Sequence, residues 1–591
     1  LDKIDKSLQF IDLANIIAHE NTVLLPVTMG AVATTEQAII NEAHRRGMVV
    51  PDKAKGERER DTAAGAFVAT PKKGYHEWVG SMDLNSLYPS VFRALNMAPE
   101  TIVGQLRLDY TEEEIANAQK LEKRSFADAW HGKFGTNEFE FFNNKLKQLN
   151  ETVKNKDVDH IMDLDMEDGT SHKVTGADVY NLVFNSGQPW NISANGTLFK
   201  TDVQGVVPGL LERWYSERQD LQAKKKSATT PEEDAFYDKR QLVKKIILNS
   251  LYGAILNPGC RFFDKRIGQS TTLSGRQISK HMAAKINEVI TGEYNHVGKA
   301  IIYGDTDSAY FSAYEVLKKE IDDGKIPWTK ESVIKLYDQV AGEVNNSFKK
   351  FMGQAFHCMK SRAEVIQAGR ESVATSGLFI TKKRYAILIY DLEGYRQDID
   401  DKPGKIKAMG LDLKRSDTPV YIQDFLSELL LMVLTGNTEE QVLDKITQFR
   451  NEFKTRPGWE KGSPRRANNI GEYAKKEARQ GKANMPGHVR ASINWNTLKR
   501  MNSDKYSQEI MDGMKVIVCK LKKNPLEYTS VAYPTDELRL PQWFKELPFD
   551  DATMESTVID NKLGNLLGVL GWDIKSTESN NTFNNLFDFG G

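Results

Sequence analysis

Two β-rich runs, Lys299 to Asp305 and Ser308 to Ser312, flank a tight Asp-Thr-Asp turn. That pattern reads as a β-hairpin whose tip carries two carboxylates, Asp305 and Asp307. On a continuous strand, residues two apart share a face, whereas a turn between them lets one point away. Asp is also an ordinary turn residue, so the turn alone does not make a site. The apolar run Ala300-Ile-Ile leading into it places the pair at the end of a buried strand. A second strand, Trp78 to Leu84, also ends on a carboxylate, Asp83, within Ser81-Met-Asp-Leu-Asn-Ser-Leu-Tyr-Pro-Ser90. The polar turn after Asp83 offers backbone N–H groups that can form a nest for phosphate oxygens, and it also fits a plain strand-to-helix connection.

Together the two strand ends supply three carboxylates, enough to hold two Mg²⁺ ions ~3.5–4 Å apart. Magnesium takes oxygen ligands and keeps substrate phosphates in its shell. Cations come from a helical stretch, Pro208 to Tyr252, broken at Ser227-Ala-Thr-Thr-Pro231 and read as two antiparallel helices. Lys245, Asn249 and Tyr252 stand at i, i+4 and i+7 and so share one helix face. Arg218 lies on the preceding helix, and an Arg and a Lys facing one groove would neutralise a triphosphate. A solvated basic face over an Ile246-Ile247-Leu248 core fits the same residues. The ten His show no ligand spacing and the three Cys are far apart, which argues against zinc.

The chain has 591 residues, 40% hydrophobic and 27% charged, about four domains' worth of ordinary globular sequence. The longest apolar run, near Leu429 to Leu434, falls far short of the ~20 residues a membrane span needs. Cys260, Cys358 and Cys519 exclude a disulfide framework and fit a reducing compartment. The net charge of −1 is uninformative, because a large protein can hold a basic groove among acidic faces. No charged-then-apolar leader opens the chain, which begins at Leu1, so an upstream piece is expected. Residues 1–50 read as helical and 51–65 as a charged linker. Residues 110–200 are acidic and weakly patterned, and look like an insertion. After Pro419 the pattern is mostly helical and polar.

The three motifs together resemble those of family B DNA polymerases. Asp83 to Ser90 resembles the family's first palm motif, Lys245 to Gly253 its fingers motif and Tyr303 to Ser308 its second palm motif. Lys382-Lys-Arg-Tyr385 resembles the motif that grips the primer–template duplex. Gly205-Val-Val-Pro208, Met409-Gly-Leu411 and Ser416-Asp-Thr-Pro419 give the T-even phage flavour. The resemblance implies an α+β, right-hand polymerase fold with an antiparallel-sheet palm, helical-hairpin fingers and a mostly helical thumb. It divides the chain into a remnant after a missing exonuclease domain (1–65), palm (66–204, with an insertion at about 110–190, and 259–412), fingers (205–258), thumb (413–574) and tail (575–591).

Carried over by motif, Asp83, Asp305, Asp307 and Lys245 are implied to be catalytic. Asp83, Leu84 through its carbonyl, Asp305 and Glu371 would hold two Mg²⁺ ions, with Mn²⁺ as a substitute. Ser86, Leu87, Tyr88, Arg218, Lys245, Asn249, Tyr252 and Gly253 would bind the dNTP. Tyr88 would be the gate against a 2′-OH, and Lys245 the acid for the leaving pyrophosphate. Lys382, Lys383, Arg384 and Tyr385 would contact DNA, with Arg465, Arg466, Lys475, Lys476, His488 and Arg490 as weaker thumb candidates. The tail residues Phe583, Leu586, Phe587 and Phe589 would bind a sliding clamp. The implied activity is DNA-directed DNA synthesis on a primer–template with dNTPs, in the cytoplasm of an infected host cell, with no membrane. Proofreading in cis is expected to be absent: the chain reads either as the polymerase half of a split enzyme, with a separately encoded exonuclease subunit, or as a fragment of a longer polymerase. Gln222 stands where a second basic residue often follows the Arg, with Lys224 to Lys226 as possible compensation, and the hairpin is short for a T-even enzyme. A catalytically silent replisome scaffold, an RNA-copying or RNA-making enzyme and a protein-primed polymerase are the competing readings. The intact carboxylates argue against the first and Tyr88 against ribonucleotide use; the insertion keeps the protein-primed reading open.

Overall fold

The structure is a computed structural model that describes residues 3, 5, 9–53, 66–108, 120–121, 161–175, 178–179, 181–480 and 484–577. The chain divides into two compact units, Leu1–Thr70 with Gly80–Val373, and Pro71–Val79 with Ala374–Gly591. Both mix helices with antiparallel strands, the α+β class expected. Among the described residues, no helix is long and apolar enough to cross a membrane.

The first unit opens with helices α1 (Phe10–Asn21) and α2 (Ala31–Arg45). Strand β1 (Gly74–Leu84) delivers its last five residues to this unit, and α3 (Leu87–Ala94) follows. The strand starts four residues earlier than the sequence suggests. Next come β2 (Ile102–Leu108), β3 (Ile161–Met166), β4 (Ser171–Thr175), β5 (Trp190–Ile192) and β6 (Thr197–Lys200). They form an antiparallel sheet ordered β4-β3-β2-β6-β5. The described part of the expected insertion is therefore largely sheet, with a helical turn at Asn181–Asn185. Its period-two signal, Met162-Asp-Leu-Asp-Met166, hides within an acidic composition: Leu164 is buried while Asp163 pairs with Lys173 at 2.8 Å.

Helices α4 (Val206–Lys226) and α5 (Pro231–Ile255) form the antiparallel hairpin at the expected break. Thr230 caps α5 by accepting from the Glu233 amide at 3.2 Å, with Pro231 in the first turn. Glu232, Glu233 and Asp234 there complement the helix dipole. Buried Glu42 of α2 pairs with Arg213 of α4 at 3.3 Å, and Asp12 of α1 with Lys239 of α5 at 3.1 Å. The amino-terminal helices are thus packed on the hairpin.

Helix α6 (Lys265–Thr291) is buried along nearly its whole length. Its small polar residues meet the five-stranded sheet through a buried network: Ser270 Oγ lies 2.9 Å from Ser193 Oγ and donates to Asn195 at 2.8 Å. Strands β7 (Ile301–Asp305) and β8 (Ser308–Phe311) are the expected hairpin, and α7 (Lys330–Phe356) packs beside α6. Gly80 opposes Phe311, and a Cβ there would lie 2.6 Å from the Tyr337 ring of α7. Only glycine permits that approach.

His281 of α6 lies within 2.7 Å of Tyr294 Oη and 2.8 Å of Ser347 Oγ, with its ring stacked 4.0 Å from Phe351. Burial, helped by the Lys285 charge, drives its pKa down to about 3. The unfolded chain takes up a proton near pH 6.5 that the folded chain refuses. Stability therefore falls as pH drops from 6.5 toward 3, by about 2 kcal/mol at pH 5 from this group. Urea melts at pH 7 and pH 5 test this: His281→Gln should lose less stability on acidification than wild type. Equal losses would refute it.

The second unit continues β9 (Ala368–Thr381) from residue 374, then β10 (Arg384–Leu392), β11 (Tyr395–Arg396) and β12 (Lys405–Met409). Strand β10 pairs antiparallel with both β11 and β12. Helices α8 (Val420–Leu434) and α9 (Glu439–Thr455) bring Ile422, Leu426, Leu429 and Leu430 into a core where Phe425 stacks on Phe449 at 3.7 Å. A second core joins β13 (Ser463–Ala467), α10 (Gly487–Met501), β14 (Met514–Lys520) and β15 (Ser530–Pro534), which form a three-stranded antiparallel sheet. The region after Pro419 is mostly helical, as expected, and these three short strands add to it.

Candidate active site

Asp83 of β1 and Asp305 of β7 both stand in register with Ser308 of the intervening strand β8. Residues opposite one another project from the same sheet face, so both carboxylates rise on one side. Two strand spacings separate their Cα atoms by about 10 Å. The turn between β7 and β8 is held hard: Thr306 is left-handed at φ 58°, Asp307 N–H donates to Asp305 O at 2.7 Å, and Ser279 of α6 donates to Thr306 O at 2.5 Å. Tyr303 Oη and Thr306 Oγ1 donate to the Asp305 carboxylate at 3.2 and 3.1 Å. Residues 67–69 run alongside, with Ala69 N–H to Gly304 O and Thr306 N–H to Phe67 O.

The turn after Asp83 is fixed from two sides. Leu84 N–H donates to Asp307 O at 2.8 Å and Asn85 N–H to Gln367 O at 2.9 Å. Ser86, left-handed at φ 47°, starts α3 without a side-chain cap on its first amides. Tyr88, one residue into that helix, lies against Tyr252 of α5 with ring centroids 4.5 Å apart. On its other side is α6, where a Cβ at Gly275 would sit 3.1 Å from the Tyr88 ring. Burial and then the Asp307 charge push the Tyr88 hydroxyl up to about 12, against the opposing charge of Arg276. Burial likewise raises Tyr252, which Thr272 of α6 hydrogen-bonds.

On the hairpin, Lys245, Asn249 and Gly253 are exposed and Arg218 is half-buried, its Nε donating to Gln241 at 3.3 Å. Burial lowers the Arg218 guanidinium, but from so high a value that it stays cationic. Gln222 is also on α4, and Lys225 is tied to Asp238 at 2.7 Å. Ile247 and Leu248 are core, so core and cationic face share the helix.

Glu371 of β9 accepts from Ser81 Oγ at 3.2 Å, two residues before Asp83. Among the described residues, no three His, Cys, Asp or Glu side chains converge as a metal cage. Asp83 and Asp305 share one register, Asp307 follows in the turn after Asp305, and Glu371 is tied to Ser81 beside Asp83. That donor set fits Mg²⁺, which binds through one or two carboxylates and leaves other positions to phosphate and water.

The family model for DNA polymerase family B matches residues 23–457. The chain belongs to DNA polymerase family B. The DNA-directed DNA polymerase of Enterobacteria phage T4 is 26% identical over 551 residues, covering 90% of this chain and 58% of that protein. The enzyme of Escherichia phage RB69 is 25% identical over 90% of this chain and 57% of its own length. The DNA polymerase delta catalytic subunit of Oryza sativa subsp. japonica is 24% identical over 73% of this chain. This family B chain therefore spans a little over half the length of the two phage relatives.

In the second unit, Lys382 and Lys383 are exposed in the turn between β9 and β10. Gly410 makes room for that turn, since at φ 62° a Cβ would meet Lys383 O at 2.2 Å. Their two companions make contacts within the unit. Arg384 is engaged by Asp412 at 3.4 Å, and Tyr385 is buried, stacked on Phe379 at 5.4 Å. Strand β10 is buried on both faces, and Tyr385 packs within it. Arg465 pairs with Asp417 at 2.7 Å and Arg490 with Glu477. Arg466, Lys475, Lys476 and His488 lie on β13, the helix after it and α10. Phe583, Leu586, Phe587 and Phe589 fall outside the described residues.

The sequence reading missed α6. Thr272, Gly275, Arg276 and Ser279 recur at i, i+3, i+4 and i+7 and back both Tyr88 and the Asp305 turn. A small and polar stripe at helical spacing was the available signal.

Proposed function

We propose that this chain extends the 3′-OH of a primer on a DNA template, adding dNTPs by nucleotidyl transfer. The observation that carries the reading is the shared register of Asp83 and Asp305 opposite Ser308. Residues 66–204 and 259–412 act as palm, 205–258 as fingers and 413–574 as thumb. Asp83, Asp305 and the Leu84 carbonyl would hold Mg²⁺, or Mn²⁺ in its place, which when bound lowers the pKa of the attacking hydroxyl and neutralises phosphate charge. The remaining work is positioning and charge neutralisation.

The amides of Ser86 and Leu87, at the start of α3, receive the triphosphate tail. Arg218, Lys245 and Asn249 meet it from the hairpin, and Lys245 gives a proton to the departing pyrophosphate. Tyr88 lies beneath the sugar, with Tyr252 and Gly253 against the nascent base pair. Asp307 and Glu371 stand beside the carboxylate pair. Lys382 and Lys383 contact the duplex backbone, reading shape and not sequence.

In this reading the chain works in phage DNA replication in the infected cell's cytoplasm and joins a sliding clamp through Phe583, Leu586, Phe587 and Phe589.

One gel tests this. A 5′-labelled primer–template is incubated with Mg²⁺, with and without dNTPs and clamp, and with a chain lacking residues 582–591. Extension with dNTPs is expected, and the truncation should shorten products only when clamp is present. No extension with or without clamp would favour a silent scaffold, and equal shortening by the truncation with and without clamp would overturn the role of the tail.

A further inference from the structure

Lys244 is buried, with only 6% of its side chain exposed, although its neighbour Lys245 faces solvent. Two carboxylates meet its ammonium. Glu217 of α4 approaches at 2.5 Å, and Glu20 from the last turn of α1 pairs with it as well. A buried ammonium between two acids is costly to break, because removing one partner leaves uncompensated charge.

The place of this triad in the hairpin matters more than its strength. Glu217 immediately precedes Arg218, and Lys244 immediately precedes Lys245. Consecutive helical residues turn by ~100° and rise ~1.5 Å. In an antiparallel pair, a clockwise turn on one helix and its counterpart on the other swing to the same side. When Glu217 and Lys244 meet across the hairpin, Arg218 and Lys245 therefore both emerge on one flank, about 3 Å apart along its axis. Gln241, one turn before Lys245 on that flank, receives the Arg218 Nε at 3.3 Å, as this geometry requires.

We infer that Lys244, clamped by Glu217 and Glu20, is a positioning residue that sets the spacing of the two triphosphate-binding cations. The inference rests on the nucleotide-binding roles proposed for Arg218 and Lys245. It also makes α1 part of the nucleotide site, since Glu20 supplies a third of the clamp. Loss of the clamp leaves both cations present but out of register, which weakens nucleotide binding and spares primer–template binding.

Single-nucleotide incorporation with dNTP titration tests this, alongside primer–template Kd by anisotropy and a thermal melt. Lys244→Met should raise the dNTP KM roughly tenfold, the scale of a misplacement of about an ångström or less. Glu217→Gln and Glu20→Gln should each raise it by about threefold or more, and Lys244→Arg, which keeps the charge, should stay within about twofold of wild type. Primer–template Kd should stay within about twofold throughout. If Lys244→Met does not fold, the two Gln variants and Lys244→Arg decide. Unchanged dNTP KM in the variants of an active enzyme, or an equal loss of primer–template binding, would overturn the inference alone. An inactive wild type would overturn the polymerase reading and this inference with it.

Discussion

Asp305→Ala lowers single-nucleotide incorporation by roughly 10³-fold or more while the chain stays folded. A carboxylate that holds the catalytic cation contributes several kcal/mol to the transition state, and each ~1.4 kcal/mol is tenfold in rate. Folding loses far less. Asp305 accepts hydrogen bonds from Tyr303 Oη and Thr306 Oγ1, each worth about 1 kcal/mol. The turn keeps its backbone bonds to Phe67 and its bond from Ser279. Asp305→Asn retains an acceptor for both donors, so it should match Asp305→Ala in rate and exceed it in stability. Rapid-quench incorporation with a paired melting curve provides the check. A rate within tenfold of wild type for Asp305→Ala would remove this carboxylate from the chemistry.

Tyr88→Ala relaxes sugar selection by roughly 10- to 10²-fold, with little change for dNTPs. The Tyr88 ring cannot retreat from an added hydroxyl, because Tyr252 lies 4.5 Å away on one side and α6 closes in at Gly275 on the other. Forcing atoms into a packed contact of that kind costs about 1–3 kcal/mol. The hydroxyl is not the source of selection. With its pKa pushed up to about 12 it is neutral at working pH. Tyr88→Phe should therefore discriminate like wild type. The measurement is the ratio of kcat/KM for dCTP to that for rCTP on one template. A ratio in Tyr88→Ala equal to that of wild type would show that another group guards the sugar.

The parts of this site legible in the sequence are those whose chemistry is local. A run of β-branched residues ending in Asp-Thr-Asp must turn, and Lys245, Asn249 and Tyr252 share a face on any helix. The break before Pro231 needed only capping chemistry. What escaped depends on packing in the folded chain. Tyr385 looks like a surface residue beside Lys382 and Lys383 until β10, buried on both faces, packs it on Phe379. The stripe on α6 is unremarkable until Tyr88 and the Asp305 turn settle against it. Lys244 and Lys245 are chemically identical in sequence, and only Glu217 and Glu20, from two other helices, distinguish a buried strut from an exposed ligand.

The common register partner of Asp83 and Asp305 has a consequence for synthesis. Roughly 220 residues separate the two acids along the chain. At ~5–20 residues per second, the ribosome takes roughly 10 to 45 s to deliver the second after the first. Throughout that interval Asp83 ends a strand whose neighbour β8 has yet to emerge, and that edge is open to mispairing. A slip of one residue would turn Asp83 to the opposite face of the sheet while leaving most hydrogen bonds intact. Newly made chains should therefore be fully competent or wholly inert, with heterogeneity in active fraction and not in turnover per active molecule.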